Sequence, residues 1–213
     1  MKTTRYTEFL VMRHGQSVAD VAKPKVFEGR MDSPLTEAGL DQARLAAKWI
    51  AAKYPPQRII SSPLIRAMRT AEEVALRVRV DVECDPGLLE RNNGALAGLT
   101  EREAKAQGFL PPGGYLPHET VRGGETVIEI RARAETFWSR LLCQEKIGQR
   151  ILIVSHGQMI AMLFRCFLDL PMDESLRLRT GDTGIHCWRV DAGGRTVVFT
   201  DSRIHLEHGH AIL

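Results

Sequence analysis

The sequence predicts an α/β fold of three layers, α/β/α, with a mostly parallel central sheet and a small inserted cap subdomain. Short apolar runs of strand length alternate with segments whose apolar residues recur every three or four positions. Such alternation buries a sheet under helices on both faces, because parallel strands need crossover connections. A stretch rich in Gly and Pro at 108–124 (GFLPPGGYLPHETVRGG) breaks the alternation and reads as a long exposed loop.

Phe9-Leu10-Val11-Met12 reads as a buried strand that stops at Arg13-His14-Gly15. Leu40, Ala43, Ala47, Ile50 and Tyr54 fall at helical spacing, so residues 36–54 form an amphipathic helix, ended by Pro55-Pro56. Arg58-Ile59-Ile60 is a second strand. Ser62 is its punctuation and the expected N-cap of a helix over 63–76, with Pro63 at the first helical position. A third strand is expected near Val80-Asp81-Val82. Beyond the loop, Val127, Ile130, Ala134, Phe137 and Leu141 mark a helix that reaches about Gln144. Ile151-Leu152-Ile153-Val154 is the clearest buried strand; Ser155-His156-Gly157 ends it, and a helix to Phe167 follows. Strands over 185–190 and 196–200 flank Ala192-Gly193-Gly194 as a hairpin. Residues 1–213 form one domain, with the cap over approximately 91–145.

Composition excludes several function classes. Hydrophobic residues at 44% and charged residues at 26% give a core that needs neither disulfides nor a structural metal. The net charge of +3 is spread along the chain, which suits small anionic substrates and not nucleic acid. Aromatic residues at 6% argue against a base-stacking platform. Cys84, Cys143, Cys166 and Cys187 lie far apart and read as free thiols of a reducing compartment. Met1 to Met12 contains no apolar stretch of signal-peptide length, and no run approaches the roughly 18 apolar residues of a membrane span. A cytoplasmic protein without a membrane partner is expected, and a homodimer is compatible with it. His186, His205, His208 and His210 lack a Cys/His quartet around them, so no metal is expected. Met159 and Met162 are read as core packing.

Chemistry concentrates where two strands end alike, at Arg13-His14-Gly15 and Ser155-His156-Gly157. Ligands of open parallel sheets bind beyond the carboxyl ends of the strands, so both histidines are expected in one crevice. Glycine after each histidine lets a ligand approach the backbone and leaves N–H groups for an anion.

Five motifs then occur in order: Arg13-His14-Gly15-Gln16-Ser17, Phe27-Glu28-Gly29-Arg30 through Leu35-Thr36, Ser61-Ser62-Pro63-Leu64-Ile65-Arg66-Ala67-Met68-Arg69-Thr70-Ala71, Leu89-Glu90-Arg91, and Ser155-His156-Gly157. From about residue 9 to 206 the chain resembles the histidine phosphatase superfamily, the phosphoglycerate mutase-like family of the cofactor-dependent type. That resemblance implies a nucleophilic His14, a phosphate clamp of Arg13, Arg66 and His156, and a proton donor at Glu90. The chemistry agrees. A neutral imidazole attacks phosphorus when its other nitrogen is held protonated, and the transferred phosphoryl needs fixed cations and donors around its oxygens. Arginine supplies two parallel bonds and a permanent charge. An acid that reverses its role works best with a pKa raised by burial. Gln16, Ser17, Gly157 and Arg122 are expected to touch substrate or support the clamp. Asp20 stands where the family usually has asparagine, so it is expected to point away from phosphate or to be displaced.

A phosphohistidine can pass its phosphoryl group to water or to a second substrate. Phosphoglycerate mutases follow the glutamate with a tyrosine and, soon after, a lysine; here Asn92, Asn93, Thr100 and Glu101 occupy that region. With those groups missing, the resemblance implies a phosphatase that hydrolyses a small phosphomonoester and needs no cofactor. A phosphoglycerate mutase is the alternative, and an inactive phosphoester-binding module is a second. The partner is a small phosphorylated metabolite, and loop 108–124 is the expected selector among such substrates.

Overall fold

The computed structural model describes residues 6–144, 148–172 and 177–207. His208 and His210 lie outside the described residues. The first half contains β1 (Thr7–Arg13), α1 (Glu37–Lys53), β2 (Arg58–Ser61), α2 (Ile65–Val78), β3 (Val82–Cys84) and α3 (Glu101–Ala106). The second half contains α4 (Val127–Gln144), β4 (Arg150–Ser155), α5 (Gly157–Phe167), β5 (Ile185–Asp191), β6 (Gly194–Ser202) and α6 (Ile204–Glu207).

One sheet runs in the order β3-β2-β4-β1-β5-β6. Strands β3, β2, β4 and β1 are parallel, while β5 and β6 add an antiparallel hairpin at one side. Successive strand residues point to opposite faces, so each strand feeds two cores. Phe9, Val11, Ile151 and Ile153 pack with Ile130, Phe137 and Leu163 of α4 and α5. Leu10, Met12, Leu152 and Val154 pack with Ile50 and Val74 of α1 and α2. These are the three layers. Glu8, nearly inaccessible on β1, holds Arg150 of β4 and Arg189 of β5 and so ties the three central strands together.

The two central strands bring the histidines together. In the β1–β4 ladder Arg13 pairs with Ser155, which makes His14 and His156 neighbours at the carboxyl ends. Strand β2 lies on the far side of β4, with Ser61 beside Val154, and delivers Ser62 to the same edge.

Three local expectations change. Helix α1 begins as read, with the Thr36 hydroxyl accepting from Gly39 N–H. Ser62, however, does not cap α2. That helix starts at Ile65, after Leu64, and Ile65 N–H donates to the Asp32 carboxylate at 2.6 Å. A carboxylate from a distant loop satisfies this orphan donor and frees the Ser62 hydroxyl for the site. Strand β3 runs over 82–84 and not 80–82, because α2 extends to Val78 and closes on Arg79 in the left-handed conformation. Helix α4, expected inside the 91–145 cap, is a core element: Ile130, Ala134, Phe137, Trp138 and Leu141 are buried against the sheet. The part of that span that precedes α4 is 91–126. Within it, the 108–124 stretch is irregular and mostly exposed, as its Gly and Pro content predicts.

Candidate active site

His14 follows β1 directly and is buried. Its backbone is fixed from both sides, by His14 N–H to Ser155 O at 3.1 Å and Thr183 N–H to His14 O at 3.2 Å. Thr183 makes that bond from a left-handed φ of 51°, a conformation that costs a β-branched residue about 1 kcal/mol. The ring is equally defined. Nδ1 lies 2.7 Å from Gly15 O, and a carbonyl only accepts, so Nδ1 carries the proton and Nε2 the lone pair. Burial, then the charges of Arg13 and Arg66, lower the His14 pKa to about 3. Neutral at any physiological pH, with Nε2 free of a proton, His14 has the ionisation state of a nucleophile.

The two glycines beside the histidines serve different ends. A side chain on Gly15 would overlap the Gly39 carbonyl, and one on Gly39 would overlap Gln16 O, so Gly15 is set by the close approach of α1. Ligand access, the role expected of it, does not account for it. At Gly157 a Cβ would meet nothing within 4 Å, and Gly157 lines the cavity over His14.

Arg66 reaches the site from the first turn of α2 and is the most buried of the site's cations, 1% exposed. Its Nη1 donates to Met31 O at 2.7 Å, its Nη2 to Gly29 O at 2.9 Å, and its Nε to His14 Nε2 at 3.3 Å. Glu28 lies 3.4 Å away as counter-charge. Burial pulls the Arg66 pKa down by more than Glu28 pushes it up, and the guanidinium is aimed at His14 Nε2.

Arg13 is held differently. Its Nη2 lies 2.8 Å from Asp20 and 3.5 Å from Asp182, and its Nη1 donates to Thr180 O at 3.0 Å. Asp20 also accepts from Ser17 N–H and Ser17 Oγ, both at 2.8 Å. Burial raises the Asp20 pKa, but Arg13 and the Ser17 N–H more than reverse this, so it is a carboxylate. Asp20 lines the cavity and faces Arg13; it is not displaced.

His156 is fully buried, and its ring centroid lies 5.1 Å from that of His14. Its Nε2 meets Ser62 Oγ at 2.7 Å. Burial, then the His14 and Arg66 charges, push its pKa well below the usual histidine value. His156 Nδ1 and Arg13 Nε are buried without a hydrogen-bond partner among the described residues, which is costly for polar groups.

Glu90 sits opposite, 9% exposed. Its carboxylate accepts from Arg91 N–H at 2.9 Å and, at the start of α5, from Met159 N–H at 3.1 Å and Gln158 N–H at 3.2 Å. Burial raises its pKa, and the three N–H donors only partly offset this. Its main chain is clamped too: Glu90 O accepts from Arg30 Nε at 2.9 Å and Arg133 Nη2 at 3.4 Å. Both arginines converge on Glu125, at 3.2 and 2.8 Å.

The cavity over these groups measures about 540 Å³ and is lined by Arg13, His14, Arg66, Glu90 and Gly157 among others. Sequence reasoning missed Lys25 and Arg179, which also line it, and Asp182, Ser62 and Thr70, which hold its walls. Three expected site residues fall elsewhere. Gln16 faces α1, accepting from Thr36 Oγ1 at 3.0 Å and, through its backbone N–H, meeting Gln42 at 2.9 Å. Ser17 is buried and anchors Asp20. Arg122 is exposed and is not among the described residues lining the cavity; its carbonyl accepts from Ala95 N–H.

The chain is similar to proteins of known family. A bifunctional protein of Mycobacterium tuberculosis is 32% identical over 165 residues, which are 76% of this chain and 44% of that protein. The chain thus spans less than half the length of that relative. The phosphoglycerate mutase-like protein 4 of Arabidopsis thaliana is 31% identical over 167 residues, covering 75% of this chain and 70% of that one. Among solved structures, mycobacterial glucosyl-3-phosphoglycerate phosphatase superposes with a TM-score of 0.79 at 26% identity, covering 93% of this chain and 100% of that chain. A model of the histidine phosphatase superfamily (branch 1) matches residues 9–202, and the chain belongs to that superfamily.

Proposed function

We infer that this chain is a phosphomonoesterase that hydrolyses a small phosphorylated metabolite through a phosphohistidine on His14. The observation that carries this reading is the His14 ring itself, with its proton pinned on Nδ1 by Gly15 O and its bare Nε2 beside Arg66. Nε2 attacks phosphorus while the bond to the leaving oxygen breaks, and the phosphoryl group takes the place of the Arg66–His14 contact. Arg66, Arg13 and His156 Nδ1 stabilise its equatorial oxygens. Glu90 gives its proton to the leaving alkoxide. It then takes one from water as that water attacks the phosphohistidine, releasing inorganic phosphate and restoring both groups.

Hydrolysis is favoured over mutation of a bisphosphate by the charge balance of the cavity. Arg13 is paired with Asp20 and Arg66 with Glu28 in its lining, so two of the cavity's four cations are already balanced before a second phosphate enters. The superfamily includes mutase-like relatives, and a mutase would have to hold such a group firmly. An inactive binding module is disfavoured because nucleophile, cations and acid stand in one cavity.

The reaction needs no metal and no cofactor. A cytoplasmic location fits the four free thiols, and among the described residues no helix is long and apolar enough to cross a membrane. A homodimer is compatible with the single-chain site. Incubation with a radiolabelled phosphomonoester tests the reading: an acid-labile, base-stable label should appear on His14 and be absent from His14→Ala. Turnover without a histidine-linked label would overturn it.

A further inference from the structure

The cavity over His14 does not end at its own walls. Phe27, Asn93 and Gln158 line it and also line a second chamber of about 210 Å³. The insertion closes that chamber from the far side with Leu110, Tyr115 and Thr120. Loop 108–124 thus meets the site through these three side chains, and not through Arg122.

The lining has a definite chemistry. It holds no carboxylate, and its one cation is Arg91, whose Nε already donates to Glu125 O at 2.8 Å. The remaining polar groups are the carboxamides of Asn92, Asn93 and Gln158, the Thr120 hydroxyl and the Tyr115 phenol. Among the described residues, the side chains of Asn93 and Gln158 have no hydrogen-bond partner. Carboxamides present donors and acceptors side by side, which matches hydroxyl groups that do both. Phe27 and Tyr115 add aromatic surface for C–H groups. A carboxylate or second phosphate would find no uncommitted cation there, whereas Lys25 and Arg179 belong to the larger cavity alone.

We propose that the second chamber receives the leaving group, and that this group is an uncharged polyhydroxyl unit, a sugar or a polyol. The proposal rests on the phosphomonoesterase reading and names its substrate class. Glu90 lies in the larger cavity with Asn93 and Gln158, so a leaving oxygen there can take its proton while the carbon chain extends past those two amides.

The test compares leaving groups on the whole protein. Ethyl phosphate carries no hydroxyl for the chamber's amides and reports the chemistry alone. Glucose 6-phosphate and sorbitol 6-phosphate should exceed phosphoserine, 3-phosphoglycerate and adenosine 5′-monophosphate in kcat/KM by about tenfold or more. Leu110→Trp, which fills the chamber, should lower kcat/KM for the sugar phosphates by about tenfold while ethyl phosphate changes by less than about twofold. Retained ethyl phosphate turnover also shows that the variant is folded; Thr120→Phe serves should it not be. Equal or better turnover of the charged leaving groups, or equal loss of both substrates in the variant, would overturn the polyol site and leave the phosphomonoesterase standing. Failure to hydrolyse ethyl phosphate and to label His14 would sink both.

Discussion

Asp20 holds Arg13 at 2.8 Å, so an arginine that lines the cavity over His14 is already engaged by a carboxylate. The contact has a cost for phosphate, because the anion must share Arg13 with Asp20 and approach a like charge. Two unit charges about 4 Å apart interact by about 4 kcal/mol at an effective dielectric constant of 20, and solvent access reduces this. Asp20→Asn keeps an acceptor for Ser17 N–H and removes the charge. Vanadate should then inhibit the variant about tenfold more tightly, a change of about 1.4 kcal/mol. Isothermal titration of the two proteins with vanadate measures it, and weaker binding by the variant would show that Asp20 orients Arg13 more than it opposes phosphate.

The buried histidines make stability fall on the acid side. The His14 pKa is lowered to about 3, and those of His186 and His205 to about 4, burial leading in each case. In the unfolded chain each titrates near 6.5. Their contribution is therefore complete above pH 6.5 and is lost as pH falls from there through the folded values, since the unfolded state binds the extra protons. Each group should tilt the unfolding free energy by about 1.4 kcal/mol per pH unit inside that window. Urea unfolding at pH 7 and pH 5 measures the combined slope, and His186→Gln should remove one group's share. Imidazole resonances of His14 should remain those of the neutral Nδ1–H tautomer down to about pH 4; a midpoint near 6.5 would contradict the burial argument.

Glu90 should behave as an acid in one half-reaction and a base in the next. Its raised pKa keeps a protonated fraction available as pH increases above the usual carboxyl range. Phosphoenzyme formation from an alkyl phosphate should decline as pH rises through that value. Glu90→Gln should lose about 10²–10⁴-fold in turnover of such substrates and lose this alkaline limb. An activated ester, whose leaving group needs no proton, should still load His14 in the variant and leave the label there, since water now lacks its base. Rapid-quench labelling separates the two steps. Unchanged steady-state turnover would remove Glu90 from the chemistry.

The parts legible in the sequence were those with a periodic or local cause. Phe9 to Met12 and Ile151 to Val154 are apolar runs, and their pairing as central strands follows from the alternation of elements. Adjacent strand ends then place His14 beside His156 although 142 positions separate them. What stayed hidden depends on chain segments meeting through space. Arg13 bonds Thr180 across 167 positions, and neither residue type nor spacing announces the pairing. The Ser62 hydroxyl looked like a helix cap because Asp32, the actual cap, arrives from a different loop. Gly15 looked like a ligand contact because its neighbour Gly39 is visible only once α1 is packed. Lys25 and Arg179 carried no motif, and the fold brings both to one cavity.

Glu125 links the insertion to Glu90. It accepts from Arg133 at 2.8 and 2.9 Å, from Arg30 at 3.2 Å and from Asn92 N–H at 3.2 Å. The same two arginines hold Glu90 O, and Arg133 also donates to Leu89 O at 2.6 Å. Glu125 touches none of Arg13, Arg66 and His156 and reaches Glu90 only through these arginines, which predicts a positioning role. Glu125→Gln leaves two guanidinium groups short of a carboxylate in a poorly solvated place, with a cost of about 2–3 kcal/mol once partial exposure of Arg30 is discounted. A purely structural role predicts lower stability and unchanged catalysis by the folded fraction. Positioning predicts more: lower kcat with an alkyl phosphate, little change in KM or in vanadate affinity, and a displaced alkaline limb in the pH profile. Activated esters should be nearly unaffected in their loading step, because they do not need the Glu90 proton. Equal losses with alkyl and activated esters would assign Glu125 to stability alone.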